Sequence, residues 1–233
     1  MELIDSASGL FLVHCSRGKQ AAQALLGDFD GILVTNRHGA YNDYDVHKHQ
    51  YCWAHIIRNL EKIAERRGDA GADAKRLLRL ARLAVRFGKR WEASHYQSLH
   101  YRRRLERLRK TFEEVLQQSA ERHVDNRIGE ALRRLLRDNP KLWTFLSIPG
   151  VPMTNNAAER TLRPYIIWRK ISFFCQSHRG NQFRPMLLSL IETCKRLHVN
   201  SYQTLRTICH QGLIAGNVSF RLLFPDPVML PSP

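Results

Sequence analysis

From Ala70 to about Leu146 the chain keeps a helical periodicity without a break, and no other feature restricts the possible folds as much. Leu77, Leu80, Ala81 and Ala84 make one apolar stripe, and Leu105, Leu108, Phe112, Val115 and Leu116 make another, at spacings of three and four. Neither stripe is sustained, so helical hairpins are expected in place of a long coiled coil. Glu130 to Leu136 extends the bundle, and Asn139-Pro140 ends it, because proline pushes the residue before it out of helical backbone angles. Upstream lie two β-prone runs, Ser8 to Cys15 and Gly31 to Thr35, separated by an alanine-rich helix at about 18–27. Strand, helix, strand predicts a right-handed crossover with both strands parallel in one sheet. The expected class is therefore α/β: a sheet domain interrupted by a large α-helical insertion, with a helical C-terminus.

Past Pro149-Gly150-Val151-Pro152 comes Met153-Thr154-Asn155-Asn156-Ala157-Ala158-Glu159-Arg160-Thr161-Leu162-Arg163-Pro164. With Asn156 as N-cap, Glu159 falls at the third helical position and completes a capping box. Equally, a carboxylate with cations one and four residues beyond it can hold a metal beside a phosphate. Both readings fit the spacing. Pro164 is expected to kink or end this helix, and Trp168 to Cys175 then carries aromatic and β-branched residues beside Arg169 and Lys170. Gln182 to Arg196 reads as a helix with Met186, Leu187, Leu190, Ile191 and Cys194 inward, Tyr202 to Cys209 as another, and the proline-bearing tail from Phe220 as irregular.

Asn36 follows the second β-prone run, and ligands of parallel sheets gather at the carboxyl ends of strands. The alternative is a turn, Asn36-Arg37-His38-Gly39, in which Asn tolerates left-handed angles. Asn42 to Gln50 reads as a polar loop, and Tyr51-Cys52-Trp53-Ala54-His55 begins a helix through about Arg67. Cys52 and His55 have zinc-ligand spacing, with His47 and His49 nearby, but a structural zinc site needs four ligands in a tetrahedron. The preferred role of Cys52, Trp53 and His55 is to pack the helix start.

Charge narrows the partners. The chain carries 37 Lys+Arg against 21 Asp+Glu, a net +16. Residues 58–110 hold 17 Lys/Arg against 6 Asp/Glu, and residues 160–206 hold 9 against 1, so the cations are segregated. Such blocks are either electrostatic footprints for a polyanion, nucleic acid first, or solvated helical faces. Arg102, Arg103, Arg104, Arg107, Arg109 and Lys110 fall largely off the second apolar stripe, so a basic face lies beside a buried one. A hydrophobic content of 43% fits a globular chain, and no apolar run approaches a membrane span. Five scattered cysteines, Cys15, Cys52, Cys175, Cys194 and Cys209, fit reduced thiols in a cytosol.

The stretch Asn155-Asn156-Ala157-Ala158-Glu159-Arg160, with Arg163-Pro164, resembles the motif that carries the third catalytic acid in the insertion-sequence 66 family of bacterial DDE transposases. Trp168-Arg169-Lys170, Phe173-Phe174, Ser177, Gly180 and Ser189-Leu190-Ile191-Glu192-Thr193 follow in the family's order, and Leu26 to Thr35, Tyr41-Asn42 and Cys52 to Arg58 resemble the segments around the second acid. The resemblance covers about residues 9–210. It implies an incomplete ribonuclease H-like sheet domain divided as 1–51, with the first strand missing; 52–148, the helical insertion; 149–212, the rest of the sheet domain; and 213–233, an irregular tail.

In an intact member three carboxylates would hold two Mg²⁺ or Mn²⁺ ions for DNA cleavage and strand transfer. Here Glu159 matches the third acid, Asn36 stands where the family has its second Asp, and the first acid is expected upstream of Met1. Asp5, the N-terminal candidate, reads as a turn residue. One carboxylate is too weak a site to keep two ions, so this chain is expected to be catalytically impaired alone while still binding DNA; the alternative is a non-catalytic regulatory protein derived from a transposase. Arg160, Arg163, Arg169 and Lys170 are the expected phosphate contacts, with Arg102, Arg103 and Arg104 a second set, and Asn155, Asn156, Cys52 and His55 in structural roles. The implied partners are DNA, a further copy or an intact transposase, and no membrane, in a bacterial cytoplasm near the nucleoid.

Overall fold

The computed structural model describes residues 2–4, 9–11, 14, 16–124, 126–172 and 177–215. Asp5, Cys15, Phe173-Phe174, Cys175 and the tail from Phe220 lie outside them. In chain order the described elements are β1 (Glu2–Ile4), β2 (Gly9–Phe11), α1 (Lys19–Leu26), β3 (Leu33–Thr35), short 3-10 turns at Gly39–Tyr41 and Val46–Lys48, β4 (His49–Tyr51), α2 (Trp53–Ala64), α3 (Asp69–Ala93), α4 (Leu99–Arg122), α5 (Arg127–Arg137), a 3-10 turn at Asn139–Leu142, α6 (Thr144–Ser147), α7 (Asn156–Ile171), α8 (His178–Arg196) and α9 (Ser201–Ala215). Helix predominates. The chain divides into two compact units, residues 1–30 with 156–233, and residues 31–155.

In the 31–155 unit the periodicity of the sequence becomes packing. Leu77, Ala81 and Ala84 of α3 and Leu105, Phe112 and Leu116 of α4 are buried, as are Trp53, Ile56 and Leu60 of α2. The densest part is aromatic: Trp53 meets Phe112 at 5.7 Å and Trp143 at 5.0 Å, both edge-on, as ring quadrupoles favour. The Trp53 indole N–H donates to the Leu142 carbonyl at 2.8 Å, so its polar atom is satisfied inside the core. α2, α3, α4 and α5 pack as consecutive hairpins. Gly88 lets α3 run close to the segment after α6, since a Cβ there would collide with the Met153 sulfur.

The sheets depart from the sequence reading. β1 pairs antiparallel with β2, while β3 pairs parallel with β4, Thr35 opposite Tyr51, so the two β-prone runs are not neighbours in one sheet among the described residues. β4 lies in what reads as a polar loop. Its three residues are all buried, and the polarity is met by bonding. His49 Nε2 and Thr35 Oγ1 are 2.8 Å apart, the Gln50 amide donates to the Leu142 carbonyl at 3.0 Å, and its oxygen accepts from the Phe145 N–H at 2.9 Å.

In the other unit, α8 packs along β2. The Gly9 N–H donates to Thr193 Oγ1 at 3.3 Å and the Phe11 N–H to Ser189 Oγ at 2.9 Å. These contacts select the inward face of α8. Leu188, Glu192 and Cys194 are buried, whereas Met186, read as inward, is 68% exposed. Of the two outcomes expected at Pro164, a kink or an end, the end does not occur: α7 continues through Pro164 to Ile171. The hydrogen bond that proline forfeits is the one to the Arg160 carbonyl, on an exposed turn where water can replace it. No helix among the described residues is long and apolar enough to cross a membrane.

Candidate functional site

Asn36 is exposed and follows directly on β3, at the carboxyl end of the parallel pair. The residue in left-handed conformation is its neighbour Arg37, at φ 66°, so the turn does not require asparagine for its angles. Arg37 is held there by Asp138, whose Oδ2 accepts from Nε at 3.1 Å and from Nη2 at 2.9 Å. Beneath this edge, burial and then the nearby Lys141 charge push the His49 imidazole down to about 3, so it is neutral at physiological pH. The Tyr51 phenol is pushed up to about 12, chiefly by burial.

Cys52 ties the edge to the segment that leads into α7. Its N–H donates to the Thr35 carbonyl at 2.7 Å, and its fully buried sulfur accepts from the Asn155 N–H at 3.4 Å. The next N–H along, that of Trp53, donates to the Met153 carbonyl at 2.9 Å. Within the 31–155 unit, then, Asn155 bonds Cys52 directly, and Asn36 adjoins Thr35, which bonds it too. His55 lies half-buried in the first turn of α2. Among the described residues no three His, Cys, Asp or Glu side chains converge as a metal site would need.

α7 is described within its own unit. It begins with Asn156, so Glu159 is its fourth residue, one beyond the position a capping box uses. At about 100° per residue, Glu159, Arg163 and Lys170 fall within about 40° of one another, with Arg160 about 100° from Glu159 on one side and Arg169 about 80° from it on the other. Glu159, Arg160, Arg163 and Lys170 are exposed, and Arg169 is half-buried. Arg160, Thr161 and Pro164 line a shallow groove of about 320 Å³ with Glu192, Lys195 and Arg196 of α8. Glu192 is buried and accepts from Lys195 at 2.6 Å, with Arg196 at 3.7 Å; Arg196 also reaches Thr161 Oγ1 at 3.3 Å. The sequence reading gave Glu192 no site role. The signal was there, since it is the single acid among the nine cations of residues 160–206.

The α4 arginines are partly engaged within the fold. Arg102 pairs with Glu106 at 3.3 Å, the Arg103 carbonyl accepts from Arg107 at 3.4 Å, and the Arg104 guanidinium sits 5.3 Å from the centre of the Phe87 ring.

Comparison with known proteins decides the family, because the model of the transposase IS66 family matches residues 5–183. The chain belongs to the IS66 transposase family. Two relatives from Sinorhizobium fredii (strain NBRC 101917 / NGR234) bear on this IS66 member, both described as uncharacterized proteins. The chain is 35% identical to y4jO over 78 residues, 34% of this chain and 24% of the relative. It is 25% identical to y4qI over 194 residues, 77% of this chain and 35% of the relative. The aligned regions thus span about a quarter to a third of the length of these relatives. No solved structure matches the chain. The family match takes in Asn36, Cys52, His55, Asn155, Asn156, Glu159 and the α7 cations, and it stops within α8 before Glu192.

Proposed function

We propose that this IS66 family member is a DNA-binding protein of transposition whose own strand-transfer chemistry is impaired, a ribonuclease H-like scaffold kept around one carboxylate, Glu159. The observation that carries the reading is Asn36, an exposed amide at the strand end where the resemblance expects an acid. An amide oxygen can coordinate a hard cation but brings no negative charge and cannot accept the nucleophile's proton. The donor set for paired Mg²⁺ or Mn²⁺ is therefore not met by Asn36 and Glu159. Within the unit that carries Asn36, the Cys52 sulfur holds Asn155, the residue that immediately precedes α7 in the chain.

Arg160, Arg163 and Lys170 share a face of α7 and suit phosphate contact, with Arg169 and Arg102 to Arg104 as further contacts. The purified chain should bind duplex DNA with little sequence preference and lose affinity steeply between about 50 and 200 mM salt. Binding that is flat over that range ends the DNA reading. The catalytic part is tested separately with Mg²⁺ or Mn²⁺ and element-end DNA: no cleavage by the chain itself, and cleavage gained by Asn36→Asp. Cleavage by the unsubstituted chain sinks the impairment claim. No rescue, with tight DNA binding kept, favours a regulatory protein that pairs with an intact transposase.

A further inference from the structure

Lys75, Arg79, Arg82, Arg86 and Lys89 recur along α3 at intervals of four, three, four and three, and all five are exposed. At about 100° per residue they fall within an arc of roughly 80°, in a row about 21 Å long. Lys75, Arg79, Arg82 and Arg86, with Leu78 and Leu83, line a groove of about 440 Å³. Arg82 reaches Glu61 of α2 at 2.8 Å, but Lys75, Arg79, Arg86 and Lys89 have no ion-pair, hydrogen-bond or ring partner among the described residues. Elsewhere in the bundle the neighbouring positions are used to pair charges: Arg102 with Glu106, and Arg134 with Glu130. A row of like charges at these spacings lowers helix stability instead. Of the three acids of α3, Asp73 is taken by Arg122 at 2.8 Å and His123 at 3.1 Å, and neither Asp69 nor Glu92 forms an ion pair with the row among the described residues.

We infer that this row on α3 is a docking surface for the phosphate backbone of duplex DNA, separate from the α7 contacts. Charge complementarity chooses the occupant: a regularly spaced row of cations, with Lys75, Arg79, Arg86 and Lys89 unpaired among the described residues, meets a polymer of regularly spaced anions, and the released counterions drive association. Such a contact fixes position and orientation and reads no sequence. The inference rests on the DNA-binding reading given above.

The test measures affinity for a duplex of arbitrary sequence across a salt series, for the full chain and two triple variants. Lys75→Gln/Arg79→Gln/Arg86→Gln is expected to make the slope of log K against log salt shallower by about 2 to 3 units and to weaken binding at low salt by about 10- to 100-fold. Arg127→Gln/Arg134→Gln/Arg137→Gln removes the same charge from exposed positions of α5 and is expected to change the slope by less than about 1. Equal changes in both variants, or none in the first, overturn the inference while leaving DNA binding itself intact. Failure of the unsubstituted chain to bind overturns the underlying reading instead. Should the first variant not fold, acetylation of the unsubstituted chain decides: Lys75 and Lys89 are expected to be shielded by DNA, and equal modification with and without DNA overturns the proposal.

Discussion

The two units reach order by different means. Residues 31–155 close over aromatic rings, with Trp53, Trp91, Trp143 and Phe112 all but inaccessible. The unit of α7, α8 and α9 has a thinner apolar core and leaves Ile167, Ile171, Phe183, Met186, Tyr202 and Ile214 more than half exposed. Much of its specification is polar, through Ser189 and Thr193 on β2 and Glu192 with its two cations. Burial tolerates small displacements, because area removed from water changes slowly, whereas hydrogen bonds decline steeply with distance and angle. Within this chain the first means fixes the scaffold that presents Asn36, and the second fixes the helices that carry Glu159.

The contrast is easiest to break at Trp53. Trp53→Ala should cost about 3 to 5 kcal/mol, read by denaturant unfolding, because the ring is buried against two others and its N–H is bonded. A loss no larger than that of an exposed apolar residue would show that the aromatic cluster is not what holds this unit. Next comes the polar device of the other unit. Ser189→Ala with Thr193→Val should together cost about 2 to 4 kcal/mol by leaving two strand N–H groups unpaired. If hydrogen exchange at Gly9 and Phe11 is unchanged in that variant, the hydroxyls are incidental.

Acid sharpens the comparison from within the aromatic unit. The folded His49 pKa is depressed, so the unfolded chain takes up the proton first and stability falls as pH drops below about 6.5, continuing toward about 3. Between pH 6 and 5 the loss from this group is about 1 kcal/mol, and His49→Gln should flatten that part of the profile. Equal acid sensitivity in both proteins would assign the effect elsewhere. The smallest change is expected at Ile171, which is 71% exposed: Ile171→Ser should alter stability by less than about 0.5 kcal/mol, and a larger loss would mean that this surface is covered in solution.

What could be read from the chain alone follows the same division. The stripes of α3 and α4 were legible because apolar period and burial coincide there. β4 was not, since His49 and Gln50 are buried by virtue of their partners, and a polar side chain in sequence does not announce its acceptor. Met186 was placed inward for the converse reason: α8 is oriented by two hydroxyls bonding a strand edge, not by its greasiest face. Asn36 was found at a strand end as expected, but the strained angle belongs to Arg37, whose guanidinium finds Asp138 far along the chain. Glu192 lies in Ser189-Leu190-Ile191-Glu192-Thr193, a segment the resemblance takes in, and its isolation among cations is the clue that sets it apart there.

The hydroxyls of α8 have an outcome beyond this unit's fold. Residues four apart on a helix rise about 6 Å, and alternate residues of a strand advance about 6.7 Å, so a Ser-x-x-x-Thr pair can mimic the donors' partners on a neighbouring strand. With that side of β2 occupied, another molecule cannot add a strand there, which guards a sticky ribbon against cross-β aggregation and restricts any lengthening of this small sheet to its β1 side.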